Sequence, residues 1–135
     1  MDALLIREVR FPATHHYRVH GWTPAENRAA FGSQSMPHEH HWRIRIEVAG
    51  EIDPETGFVV DLRAIDTVLH DLVGDWRGSD LNERIPEVKG GTMQPSTEAI
   101  ARWLHERLSP RIPGAARLHR VHVWESEDLG ARYPA

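Results

Sequence analysis

His38-Glu39-His40-His41-Trp42-Arg43-Ile44-Arg45-Ile46-Glu47-Val48-Ala49-Gly50 is the stretch on which the fold turns. Side chains of an extended chain alternate between two faces. Trp42, Ile44, Ile46 and Val48 therefore share one face, and Arg43, Arg45 and Glu47 the other. This alternation predicts a half-buried strand, one side against a core and one side toward water. The same period puts His38 and His40 on the face of Trp42, while Glu39 and His41 point the opposite way.

Upstream, residues 4–15 (LLIREVRFPATH) predict a first strand with Val9, Phe11, Ala13 and His15 on one face. Thr23-Pro24-Ala25-Glu26 is a capping box with proline at the first helical position, which predicts a short helix near 24–30. Downstream, the turn residues Asp53-Pro54-Glu55-Thr56-Gly57 lead to Phe58-Val59-Val60, the pattern of a hairpin. Asp61 is placed to cap a helix carrying Leu62, Ile65, Val68, Leu69, Leu72 and Val73 at helical spacing, stopping near Gly74. Residues 75–95 show no period and read as a long loop. Ser96 or Thr97 opens a second long helix with Ile100, Trp103, Leu104 and Leu108 inward, and a last strand near 117–125 carries Val121 and Val123 and ends at Glu125. Four strand signals and two long amphipathic helices predict an α+β domain whose sheet edges need partners.

The 135 residues are the length of one domain, taken here as 1–135. Hydrophobic residues at 40% and charged residues at 27% are the composition of a folded, water-soluble chain. A net charge of -4 argues against a broad basic face for nucleic acid. No apolar run nears the roughly 20 residues that span a bilayer, and no leader-like pattern opens the chain, so a cytoplasmic location without membrane contact is expected. The absence of cysteine removes disulfides, thiolate ligands and any cysteine base. Of ten histidines, five fall in two tight groups, His15-His16 and His38, His40, His41.

Catalytic zinc commonly takes three protein ligands and keeps a fourth position open, and neutral imidazole suits it. His38 and His40, at i and i+2 on a strand, can share one ion, with His15 as third ligand if the two strands pair. By spacing alone, the same histidines read equally as a polar run or an adventitious surface metal binder.

The order of segments resembles that of the 6-pyruvoyl-tetrahydropterin synthases and the related 6-carboxy-tetrahydropterin synthases. Phe11-Pro12-Ala13-Thr14-His15 matches the family's Phe-Ser-Ala-x-His, and His38-Glu39-His40-His41-Trp42 its His-Gly-His-Asn-Tyr. Gly50-Glu51-Ile52-Asp53-Pro54-Glu55-Thr56-Gly57-Phe58-Val59-Val60-Asp61-Leu62 is the most specific match. Pro95-Ser96-Thr97-Glu98 and Val121-His122-Val123-Trp124-Glu125-Ser126 complete it. The resemblance implies Zn2+ on His15, His38 and His40, a pterin-like substrate anchored by Glu125, and ring contacts from Thr97 and Ser96, although capping explains Thr97 and Glu98 as well. It also implies the tunnelling fold: an antiparallel four-stranded sheet with two helices on one face, oligomerising around a β-barrel. A homo-oligomer is expected, a hexamer built as a dimer of trimers, with the pocket between subunits.

Two departures from the family pattern stand out. Gln34 occupies the position of the family's proton-abstracting cysteine, and a neutral amide is not a base. Arg77 and Gly78 replace its Asp-His pair. Asp80 is the carboxylate nominated to act as base in their stead. Some relatives carry a glutamate at the cysteine position and cleave the side chain of dihydroneopterin triphosphate, and Gln34 differs from that glutamate too. The expectation is a zinc-dependent lyase acting on 7,8-dihydroneopterin triphosphate or a related heterocycle by elimination, retro-aldol cleavage or hydration. An inactive zinc- and pterin-binding protein and an enzyme for a non-pterin substrate are the competing readings.

Overall fold

The computed structural model describes residues 1–135. The strand predicted over 38–50 is β2 (His38–Gly50), and β1 (Ala3–His15) runs antiparallel beside it over its whole length. Trp42, Ile44, Ile46 and Val48 are each no more than 1% exposed, so the alternation marks the buried face as expected. On the other face Glu8 gathers the guanidinium groups of Arg10, Arg43 and Arg45.

Helix α1 (Pro24–Phe31) begins at the Thr23 capping box, with both reciprocal hydrogen bonds formed. Helix α2 (Leu62–Val73) starts where the Asp61 carboxylate accepts from the Arg63 N–H. After it come β3 (Ser79–Asp80), the single-turn helices α3 (Leu81–Arg84) and α4 (Pro86–Lys89), and helix α5 (Thr97–Leu108). Strands β4 (Arg117–Trp124) and β5 (Gly130–Tyr133) close the chain. Ile65, Val68 and Leu69 of α2 and Ile100, Leu104 and Leu108 of α5 pack with Ile44, Ile46, Val121 and Val123 in one core cluster. Both long helices thus cover the same sheet face.

Three expectations are corrected. The sheet has five strands in the order β3-β1-β2-β4-β5, not four, and is mixed, because β3 runs parallel to β1 at Ala13 and Thr14. Phe58-Val59-Val60 is not a strand: β2 already has β1 on one edge and β4 on the other, so no ladder remains for it. The turn itself forms, with Asp53 Oδ1 accepting from the Glu55 and Thr56 N–H groups, and Val60 packs into the core. Residues 75–95 are not structureless, since β3, α3 and α4 lie within them. Their apolar residues Leu81, Ile85 and Val88 are buried, and the extended Ile85 followed by Pro86 divides the stretch into two single turns.

Candidate metal centre and its adjoining cavity

Strand register assembles the centre. Across β1 and β2, His15 lies opposite His38, and Ala13 opposite His40. The three imidazoles therefore leave one sheet face on neighbouring rungs. Ring centroids of His38 and His40 are 4.6 and 5.1 Å from that of His15, and one ring nitrogen of each histidine lies within 4.8 Å of the other two. Trp42 meets the His15 ring edge-on at 4.8 Å, and its indole N–H donates to the Ala13 carbonyl.

Backbone carbonyls orient two of the rings. His15 Nδ1–H donates to Pro95 O and His38 Nδ1–H to Met36 O, each at 2.8 Å, which leaves both Nε2 lone pairs free for a metal. Burial, reinforced by His38 and His40 against the Pro95 hydrogen bond, pushes the His15 pKa down to about 4, so this ring is neutral at neutral pH. Burial also lowers the pKa of His40, although Glu125 opposes that shift.

Glu125 follows directly on β4 and is 6% exposed. Its Oε2 stands 3.2 Å from His15 Nε2 and 3.6 Å from His40 Nε2. His15 Nε2 and Glu125 Oε2 are both buried without a hydrogen-bond partner. With His15 neutral and its proton on Nδ1, this is no ion pair: two lone pairs face each other, an arrangement that a cation relieves. The residues present fit zinc, and His15, His38 and His40 would hold it.

Beside Glu125 opens a cavity of about 310 Å³ whose walls include Gln34, Ser96, Thr97, Glu98 and Glu125. Gln34, Ser96, Thr97 and Glu125, all singled out from the sequence, meet here. The Thr97 hydroxyl donates to Glu98 Oε1 at 2.6 Å, and the Ser96 hydroxyl accepts from the Ala99 N–H as the cap of α5. The Gln34 backbone carbonyl accepts from the Tyr17 N–H, which ties the turn after α1 to the end of β1. Asp80 is placed elsewhere. Its carboxylate accepts from the Asn82 N–H at the start of α3, its charge acts on His16, and it lines no part of this cavity. Arg77 donates to the Arg10 carbonyl, and Gly78 takes a left-handed conformation at φ 69°.

Sequence reasoning missed Tyr17, Phe31 and Leu129, which also line the cavity. Tyr17 sits two residues beyond His15 and stacks on Phe31 at 5.7 Å, a pairing across a loop that no periodicity announces. Burial first, then Glu125 and Glu98, push its phenol up to about 12, so it stays protonated. A hollow of about 560 Å³, lined in part by Arg10, His41, Arg43 and Arg77, is larger but lacks Glu125, the residue through which the smaller cavity meets His15 and His40. Chemistry, not size, selects the site.

A model of the family described as 6-pyruvoyl tetrahydropterin synthase matches residues 4–135. The chain is 27% identical to a dihydroneopterin monophosphate aldolase of Pyrococcus furiosus, with 96% of each chain covered. It is 26% identical to the 6-pyruvoyl tetrahydrobiopterin synthase of Homo sapiens, over 94% of this chain and 88% of that one. The solved 6-pyruvoyl tetrahydropterin synthase of Caenorhabditis elegans superimposes with a TM-score of 0.86 at 22% identity, covering 98% of this chain and 95% of the other.

Proposed function

The chain belongs to the 6-pyruvoyl tetrahydropterin synthase family, and from that premise we propose that it is a zinc-dependent lyase that cleaves the carbon side chain of a phosphorylated 7,8-dihydroneopterin. The observation that carries this reading is the pair of buried, unpartnered atoms His15 Nε2 and Glu125 Oε2, the latter on a residue that lines a cavity together with Ser96, Thr97 and Glu98. Similarity to the aldolase favours carbon–carbon cleavage over elimination.

Zinc held by His15, His38 and His40 supplies a Lewis acid for the side-chain oxygens of a bound dihydropterin. The ring then lies farther into the cavity, between the apolar walls of Phe31 and Leu129. There the Glu98 carboxylate accepts from the 2-amino group and ring N3 in the bidentate manner that suits such an edge. The Thr97 and Ser96 hydroxyls add polar contacts. Resemblance gives the anchor role to Glu125, but its Oε2 is turned toward the imidazoles, so we assign Glu125 to the side-chain end.

Gln34 cannot take a proton, and Asp80 does not border the cavity, which leaves Glu125 as the carboxylate beside the reacting carbons. Glu125 takes the proton of the hydroxyl on the far carbon of the bond to be cleaved, and that oxygen becomes the carbonyl of the departing aldehyde. The electrons of that bond move onto the carbon attached to the ring, where conjugation with the ring imine holds them. Glu125 then returns the proton to that carbon, giving a hydroxymethyl dihydropterin and a phosphorylated two-carbon aldehyde. Tyr17, protonated, stands by as a hydrogen-bond donor. Assembly as a hexamer belongs to this reading, supported by Leu4 and Ile6, 45% and 54% exposed at alternate positions of β1.

The test is incubation of the zinc-loaded protein with 7,8-dihydroneopterin and its mono- and triphosphates, with products followed by mass spectrometry. Release of 6-hydroxymethyl-7,8-dihydropterin, lost in Glu125→Gln, is expected. A pyruvoyl or carboxy product, or no conversion of any of the three, contradicts the reading.

A further inference from the structure

Residues 16–19 follow β1 and belong to no helix or strand, yet all four of their backbone N–H groups donate within the chain. Three of the four acceptors are side-chain amides. We propose that two of these residues, Asn82 and Gln94, are positioning residues: their amides stand in for a neighbouring strand and hold Tyr17 in the cavity beside His15, with its hydroxyl available to the substrate. This rests on the reading of the cavity given above.

A primary amide offers an acceptor and a donor side by side, as the edge of a neighbouring strand does, whereas a carboxylate only accepts. Asn82 Oδ1 accepts from the His16 N–H and its Nδ2–H donates to the His16 carbonyl, both at 2.9 Å. Gln94 repeats the pairing two residues on, accepting from the Arg18 N–H and donating to the Arg18 carbonyl. Residues two apart on an extended chain turn their backbone groups to the same edge. On that edge the Pro12 carbonyl accepts from the Gly78 N–H and β3 pairs with β1, so the two amides carry the edge onward where β3 stops. Tyr17 and Val19 turn to the other edge and donate to the Gln34 carbonyl and to Asn27 Oδ1. Alternation of side chains continues with the extended backbone. Tyr17 falls on the side of His15, the rings 5.1 Å apart, and lines the cavity with Glu125, while His16 and Arg18 line a separate hollow of about 290 Å³. Asn82 is 8% exposed, so its amide would be left unsatisfied if the segment moved away. The loop that carries Gln94 also gives the Pro95 carbonyl to His15 Nδ1, and sets Gly91 against the His20 ring, where a Cβ would come within 2.5 Å of Nδ1. One loop thus fixes a metal ligand and the tyrosine together.

The test uses the full-length, zinc-loaded protein. Gln94→Ala is the decisive variant, since Gln94 is only half-buried and lies outside any helix or strand, and Asn82→Ala accompanies it. Hydrogen–deuterium exchange read by mass spectrometry should speed up at residues 16–19 in both variants, with β2 and β4 of Gln94→Ala as slow as in wild type. Unchanged exchange at 16–19 in Gln94→Ala overturns the proposal. Binding of neopterin, followed by its own fluorescence, should weaken roughly 2–10-fold in Gln94→Ala and in Tyr17→Phe, the worth of one hydrogen bond. The double variant should bind no more weakly than Tyr17→Phe, because the amide acts through the tyrosine. Additive losses, or full affinity in Gln94→Ala, overturn the proposal. A wild type that binds no neopterin sinks the pterin reading instead, and exchange together with zinc affinity then decides: a roughly tenfold loss of zinc affinity in Gln94→Ala supports the positioning role, and unchanged affinity overturns it.

Discussion

His15 shows how much one residue carries. It is the last residue of β1, buried, tied to Pro95 and neutral at neutral pH. Its folded pKa of about 4 lies below the ordinary value of 6.5, so the unfolded chain takes up a proton before the folded one as pH falls. Metal-free protein therefore loses stability through the window from about pH 6.5 down to about pH 4. The contribution of His15 is about 3 kcal/mol across that window. Urea denaturation of chelator-treated protein at pH 7 and pH 4.5 checks the direction, and equal stability at the two values would refute it. The clustering of His38 and His40 was legible because i, i+2 spacing on an alternating strand places two imidazoles on one face. The position of Glu125 against them was not, because it depends on β4 lying beside β2, a long-range pairing that local pattern does not encode. Asp80 was nominated as a carboxylate in an aperiodic stretch. The structure makes it the cap of a single helical turn.

At the scale of elements, long and periodic segments were readable and short ones were not. β1, β2, α2 and α5 each bury a row of side chains that declares its period. β3 has two residues and β5 four, too few to show alternation before tertiary pairing holds them. The caps were equally plain, since a Thr, Asp or Ser ahead of an apolar stripe satisfies exposed N–H groups at little cost. Asp61→Ala should lower stability by about 1 kcal/mol through loss of the bond to the Arg63 N–H, without changing metal content. Ile46→Ala, at 1% exposure in the centre of the sheet, should cost about 2–5 kcal/mol. Chemical denaturation ranks the two, and a larger loss for Asp61→Ala would mean that the helix cap outweighs the core.

For the whole molecule, the sheet keeps an open edge and an exposed apolar pair. β5 pairs only with β4, and the outward face of β1 exposes Leu4 and Ile6. Light scattering after size exclusion should give six times the monomer mass, and Leu4→Asp with Ile6→Asp should reduce it. A monomeric wild type would contradict the assembly. No helix is long and apolar enough to cross a membrane. The proposed chemistry requires that His15, His38 and His40 hold zinc, so counting zinc in purified wild type and in His38→Ala, with circular dichroism to show that both are folded, tests the account most directly. One zinc per chain in wild type, lost in the folded variant, is the predicted result. A wild type that takes up no zinc when supplied with it, or a His38→Ala protein that still holds one per chain, would contradict it.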